Sequence, residues 1–118
     1  MMQNPSVITA WHAHVYFDSP EARSAAARLR EAVASRFPAV RLGGWHDRPV
    51  GPHSQPMYQI LFAPEQFATL LPWLMLNRAG LSILIHPESG DDYTDHADHA
   101  AWLGPPLPLH LEILRQAR

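Results

Sequence analysis

The chain has 118 residues, close to the commonest size of one domain, and its 47% apolar and 17% charged residues exclude a disordered chain. A net charge of -2 with scattered basic residues leaves no electrostatic footprint for nucleic acid, and the absence of cysteine excludes a disulfide scaffold, a thiolate metal site and a thiol nucleophile. Met1 to Thr9 shows no basic region followed by an apolar run, and the apolar stretch Leu70 to Leu76 is interrupted by Pro72 and too short to span a bilayer. The expectation is one cytoplasmic domain over residues 1–118 that engages neither membrane nor nucleic acid.

Ile8 to Phe17 reads as a strand that stops at Asp18-Ser19-Pro20. A period of two puts His12, His14 and Tyr16 on one face, and Trp11, Ala13, Val15 and Phe17 on the other. Ser19 as N-cap, Pro20 at the first helical position and Glu21 in the first turn open a helix. Its stripe is Ala22, Ala25, Ala26, Leu29 and Val33, and it should end near Arg36, ahead of Pro38. Val40 to His46 is a second strand, weakened or bulged at Gly43-Gly44, and Asp47 to Pro56 is a Pro/Gly loop. Met57 to Phe62 is a third strand. Pro64 and Glu65 start a helix towards Arg78 that Pro72 should kink or split, with Gly80 as its stop. Leu81 to His86 is a fourth strand, closed by Pro87. A short helix around Asp95 to Trp102, a Pro-rich stretch and a C-terminal helix from Pro108 complete the chain.

The order βαββαβ plus a tail is the ferredoxin-like pattern. It implies an α+β fold with a four-stranded antiparallel sheet, helices on one face, the other face free for a ligand or partner, and a C-terminal extension. In that topology the first and fourth strands are neighbours, which carries His86 towards His12 and His14.

Eight histidines stand out. His12 and His14, two apart on a strand, project from one face roughly 7 Å apart. Each could equally be an unrelated residue on a half-exposed sheet, and His86 a strand-end residue, but three converging histidines favour a metal site. Three such ligands with open positions suit non-haem Fe(II), and zinc or manganese accept similar donors. Any carboxylate ligand must come from Glu88, Asp91, Asp92 or Asp95, with helix capping the preferred role for Asp92 and Asp95. His96 and His99 share a helical face with Trp102, either packed there or set over the site as an acid or base. His53 sits in the Pro/Gly loop, a usual place for catalytic residues. His46 and His110 read as structural or surface residues. Tyr16 and Tyr58 could place a hydroxyl near a phenolic substrate or simply pack. No phosphate loop or nucleophile elbow is present.

Trp11-His12-Ala13-His14-Val15-Tyr16-Phe17-Asp18 resembles the opening motif of the DOPA 4,5-dioxygenase family. Gly51-Pro52-His53-Ser54 before Met57-Tyr58, Leu84-Ile85-His86-Pro87 before Gly90-Asp91-Asp92-Tyr93, and Asp95-His96 through His99 to Ala101-Trp102-Leu103-Gly104 extend the likeness in the same order. The resemblance implies extradiol cleavage of a catechol such as L-DOPA with Fe(II) and O₂. Under it, His12, His14 and His86 are the metal-ligand candidates, His53 or His99 the acid/base, and Tyr58 a residue orienting substrate. The alternatives are a non-catalytic ferredoxin-like module that binds a metal or small ligand and a purely structural dimerisation domain that uses its open sheet face. A homodimer is expected under all three, because an open sheet face needs cover.

Overall fold

A computed structural model of the chain describes residues 2–116. Five strands form one antiparallel sheet in the order β2-β3-β1-β4-β5. They are β1 (Ala10–Tyr16), β2 (Arg41–His46), β3 (Met57–Phe62), β4 (Ile83–Glu88) and β5 (Ala101–Leu103). The main helices are α1 (Pro20–Arg36) and α2 (Phe67–Asn77), followed by the short α3 (Asp92–His96) and α4 (Glu112–Gln116).

A polar cap and a proline mark the start of α1, as the sequence indicates. Ser19 accepts a hydrogen bond from the Ala22 backbone N–H and Pro20 opens α1, which buries Ala26, Leu29 and Val33. The β2–β3 register shifts between Leu42 and Trp45, across Gly43 and Gly44. Pro72 does not split α2; the break falls earlier, where a 3₁₀ turn over Pro64–Gln66 leads into the helix. Proline removes the hydrogen bond that the Ala68 carbonyl would accept, and Pro72 and Ala68 are both exposed, on the solvent side of α2.

The sheet has five strands, not four: Trp102, expected at the end of a helix, lies in β5 and pairs with Leu84. β4 also continues through Pro87 to Glu88, placing His86 inside the strand opposite His12.

The two faces of the sheet are chemically different. One carries Ala13, Val15, Tyr58, Ile60, Phe62, Ile83 and Ile85 against Leu29, Val33, Leu70 and Leu74 of the two long helices. Full burial of each large apolar side chain contributes about 1.5–3 kcal/mol, so this layer supplies most of the driving force. The other face carries His12, His14, Tyr16, Met57, Leu84 and His86. It is not free, as had been expected. Val50, Ala100, Trp102, Leu107 and Leu109 pack against its Tyr16, Met57 and Leu84. The loop and the tail are tied together over it by a bridge between His53 and Leu109 and by the His110 N–H on the Pro52 carbonyl.

Candidate metal centre

Strand register builds the first part of the site. His12 and His14 alternate to the same face of β1, and β4 sets His86 directly across from His12. Ligand nitrogens of these three residues all lie within 4.8 Å of one another. The Nε2 atoms of His14 and His86 are 3.0 Å apart.

Two further histidines complete the cluster. The turn Val50–His53 is closed by the His53 N–H on the Val50 carbonyl, and Gly51, at φ 53°, supplies the left-handed backbone it uses. The His53 ring stands 4.2 Å from that of His14, centroid to centroid. His96, the last residue of α3, lies 3.9 Å from His86 and 6.0 Å from His14 and from His53 on the same measure. His14, His53 and His96 form a second group whose ligand atoms are within 4.8 Å of one another.

Burial sets the charge state. His14, His53 and His86 are buried and their basicity falls: His53 to about 4 and His86 to about 3, each chiefly by desolvation and then by the nearby His96. His14 is lowered well below the usual imidazole range by desolvation, with His53, His86, His96 and His12 adding to it. His12 is lowered for the same leading reason, opposed by Asp92 and Asp95. At neutral pH the three buried rings therefore carry lone pairs rather than positive charge.

The surroundings orient these lone pairs. Nδ1 of His86 is 3.0 Å from the Pro87 carbonyl, which can only accept, so the proton belongs on Nδ1 and Nε2 is free. Nδ1 of His12 meets Oε1 of Glu88 at 3.2 Å and Nε2 of Gln59 at 2.6 Å. An ionised Glu88 likewise favours a proton on Nδ1, the pattern behind many coordinating histidines, provided Gln59 turns its amide oxygen to the ring. Desolvation, and then Asp92 and Asp95, raise the Glu88 carboxyl above its usual range. Nδ1 of His14 is buried with no hydrogen-bond partner among the described residues. A buried ring nitrogen lacking a hydrogen bond beside a 3.0 Å nitrogen pair fits a cation-binding site better than a packed core.

The other sequence candidates lie elsewhere. Tyr58 pairs with Val15 and so faces the helix side, stacked on Trp45 with the Arg30 guanidinium 5.7 Å from its ring centre. His99 follows the end of α3 and lines a cleft with Ile8, Trp11, Pro87 and Ser89. Its Nδ1 is 3.2 Å from Asp95. The cluster takes His96 in its place; the helix expected to run on to Trp102 stops at His96, so the two histidines part company. Asp91, not Asp92, caps α3 by accepting from the Thr94 N–H. Asp95 is buried and accepts from the Ser89 N–H and hydroxyl, locking the turn after β4.

A five-stranded antiparallel sheet with helices on one face and a histidine cluster on the other defines an α+β protein whose covered sheet face carries groups that could hold a metal ion. The chain belongs to the Dopa 4,5-dioxygenase family, whose model matches residues 11–113. It is 40% identical over 116 residues to a DOPA 4,5-dioxygenase of Amanita muscaria, covering 92% of this chain and 51% of that protein. It is 36% identical over 119 residues to an uncharacterised 21.2 kDa protein of Botryotinia fuckeliana, covering 92% of this chain and 65% of the relative. The chain thus spans about half to two thirds of the length of these two fungal relatives. The crystal structure of a Nostoc punctiforme protein described as a "putative dioxygenase" superposes with a TM-score of 0.96 at 51% identity, covering 99% of this chain and 100% of that one.

Proposed function

We propose that the chain is an extradiol ring-cleaving dioxygenase that opens a catechol such as L-DOPA with Fe(II) and O₂, its metal held by His12, His14 and His86. The observation that carries this reading is the 3.0 Å separation of the His14 and His86 Nε2 atoms, with His12 within 4.8 Å. Two nitrogens bound to one ion at about 2.1 Å stand about 3 Å apart when they occupy adjacent positions. Three neutral nitrogen donors with open positions opposite suit non-haem iron, although zinc and manganese accept similar donors. Fe(II) held there would supply the redox step that joins a catechol to dioxygen.

The protein's own contribution is placement. His12, His14 and His86 keep their lone pairs at neutral pH, His53 stands beside them as a proton donor, and the tail residues Trp102, Leu107 and Leu109 help keep water from the face. The strand order β2-β3-β1-β4, with two helices on one face, supports a single ferredoxin-like domain carrying an added fifth strand. A cytoplasmic homodimer belongs to the same proposal; Met75 and Leu76, exposed together on α2, offer apolar surface for a second copy.

The test is oxygen uptake by protein reconstituted anaerobically with Fe(II) and mixed with L-DOPA or simpler catechols. One O₂ consumed per catechol, with a new visible absorbance, is the expected result. Bound iron with no uptake on any catechol would leave a metal-binding module. Failure to bind iron would remove the histidine argument itself.

A further inference from the structure

The Tyr16 hydroxyl lies 2.7 Å from Nδ1 of His53, and both side chains are buried. Tyr16 reaches this position because the period of β1 sends it to the same face as His12 and His14, while the Val50–His53 turn brings the imidazole down from the covering loop. The His53 main chain is fixed independently, through Val50 and the bridge to Leu109. Little is left free except the position of one proton.

We propose that Tyr16 is a positioning residue: its hydroxyl donates to Nδ1 of His53 and so sets the ring as a neutral hydrogen-bond donor, with its proton on Nε2. The opposite assignment would have Nδ1–H donate to the tyrosine oxygen. The hydroxyl hydrogen would then need its own acceptor, and the described residues provide none for it. With Tyr16 as donor, one bond satisfies both groups, and Nε2 of His53 has no hydrogen-bond partner among the described residues. That leaves it for a ligand.

The consequence is chemical. An imidazole in this form has no lone pair at Nε2, so there it neither binds a cation nor removes a proton. It can donate to an oxygen that gains negative charge, in a water-poor place where such a bond is strong. This bears on the second group of His14, His53 and His96: with Nδ1 of His53 accepting from Tyr16 and Nε2 carrying hydrogen, ligation of a metal through His53 would require the ring proton to move and the Tyr16 hydroxyl to turn away. The ligand class this favours is an oxygen-rich, electron-accepting one, and the inference rests on the reading of the cluster as a catalytic site.

The experiment is long-range ¹H–¹⁵N correlation of the histidine rings in metal-free protein, with His53 assigned by loss of its signals in a His53→Gln variant. The wild type should show His53 neutral, with the proton on Nε2 and Nδ1 as the bare nitrogen. Tyr16→Phe should give a mixture of the two forms. In iron-loaded protein the same variant should lower kcat roughly tenfold to a hundredfold with KM and iron content nearly unchanged. A wild-type ring with its proton on Nδ1 would overturn the proposal, as would a Tyr16→Phe protein with the wild-type tautomer and turnover. The tautomer is read without metal or substrate, so its outcome stands apart from whether the protein cleaves catechols.

Discussion

Acidification should destabilise the metal-free protein through its buried histidines. The folded-state pKa values are about 3 for His86 and about 4 for His53, both lowered by desolvation from an ordinary 6.5. A depressed folded value means that the unfolded chain binds more protons below pH 6.5, so the stabilising contribution is complete above that pH and is lost as pH falls towards the folded values. At about pH 5 the unfolded histidine is almost fully protonated and the folded one hardly so, a difference of about 2 kcal/mol for each residue. His53 and His86 together then cost roughly 4 kcal/mol relative to about pH 8, and His14, shifted in the same direction, adds to the loss. That is a large part of the roughly 5–15 kcal/mol by which a domain is usually stable. Urea unfolding followed by tryptophan fluorescence at about pH 8, 6.5 and 5 measures it directly. The urea midpoint should fall steeply between the last two, and less so in His86→Gln. A midpoint unchanged across the range would mean that the buried rings are not held neutral and would refute the reasoning.

Four substitutions extend the test. His14→Ala should lose iron and oxygen uptake together; stoichiometric iron with near-normal turnover would remove His14 from the site. His53→Ala should keep its iron while kcat falls by roughly 10²–10⁴, whereas loss of metal would make His53 a ligand. Glu88→Gln should weaken iron binding roughly 10- to 100-fold in competition with a chelator, and an unchanged affinity would detach Glu88 from His12. Asp95→Ala removes the acceptor for Ser89 and His99 and should cost about 2–3 kcal/mol in thermal denaturation; wild-type stability would show that the turn after β4 stands without it.

Much of the fold was legible because short-range chemistry marked its boundaries. Ser19-Pro20 announced α1, Gly43-Gly44 announced the bulge, and alternation along β1 separated the histidine face from the apolar face. The placement of His86 beside His12 was also within reach, since it follows from which strands are neighbours. What sequence patterns could not supply were the effects of distant partners. Proline usually marks the end of a strand, yet Pro87 sits buried inside β4, and the three-residue β5 forms by pairing with Ile83 to Ile85 on the edge of that strand. The choice between His96 and His99 turned on where a five-residue helix stops, which Asp95 influences by turning back to Ser89. The Tyr16–His53 pair joins a strand to a loop 37 positions later, and no local signal announces such a contact.

In the proposed function the histidine cluster supports insertion of both atoms of dioxygen into a catechol ring. It is tested most directly by turnover of L-DOPA under ¹⁸O₂ with iron-loaded protein and mass analysis of the product. Extradiol cleavage gives a ring-opened product that carries two labelled oxygens, with label absent in the His86→Ala protein. An unlabelled quinone, or a product with the ring intact, would contradict it.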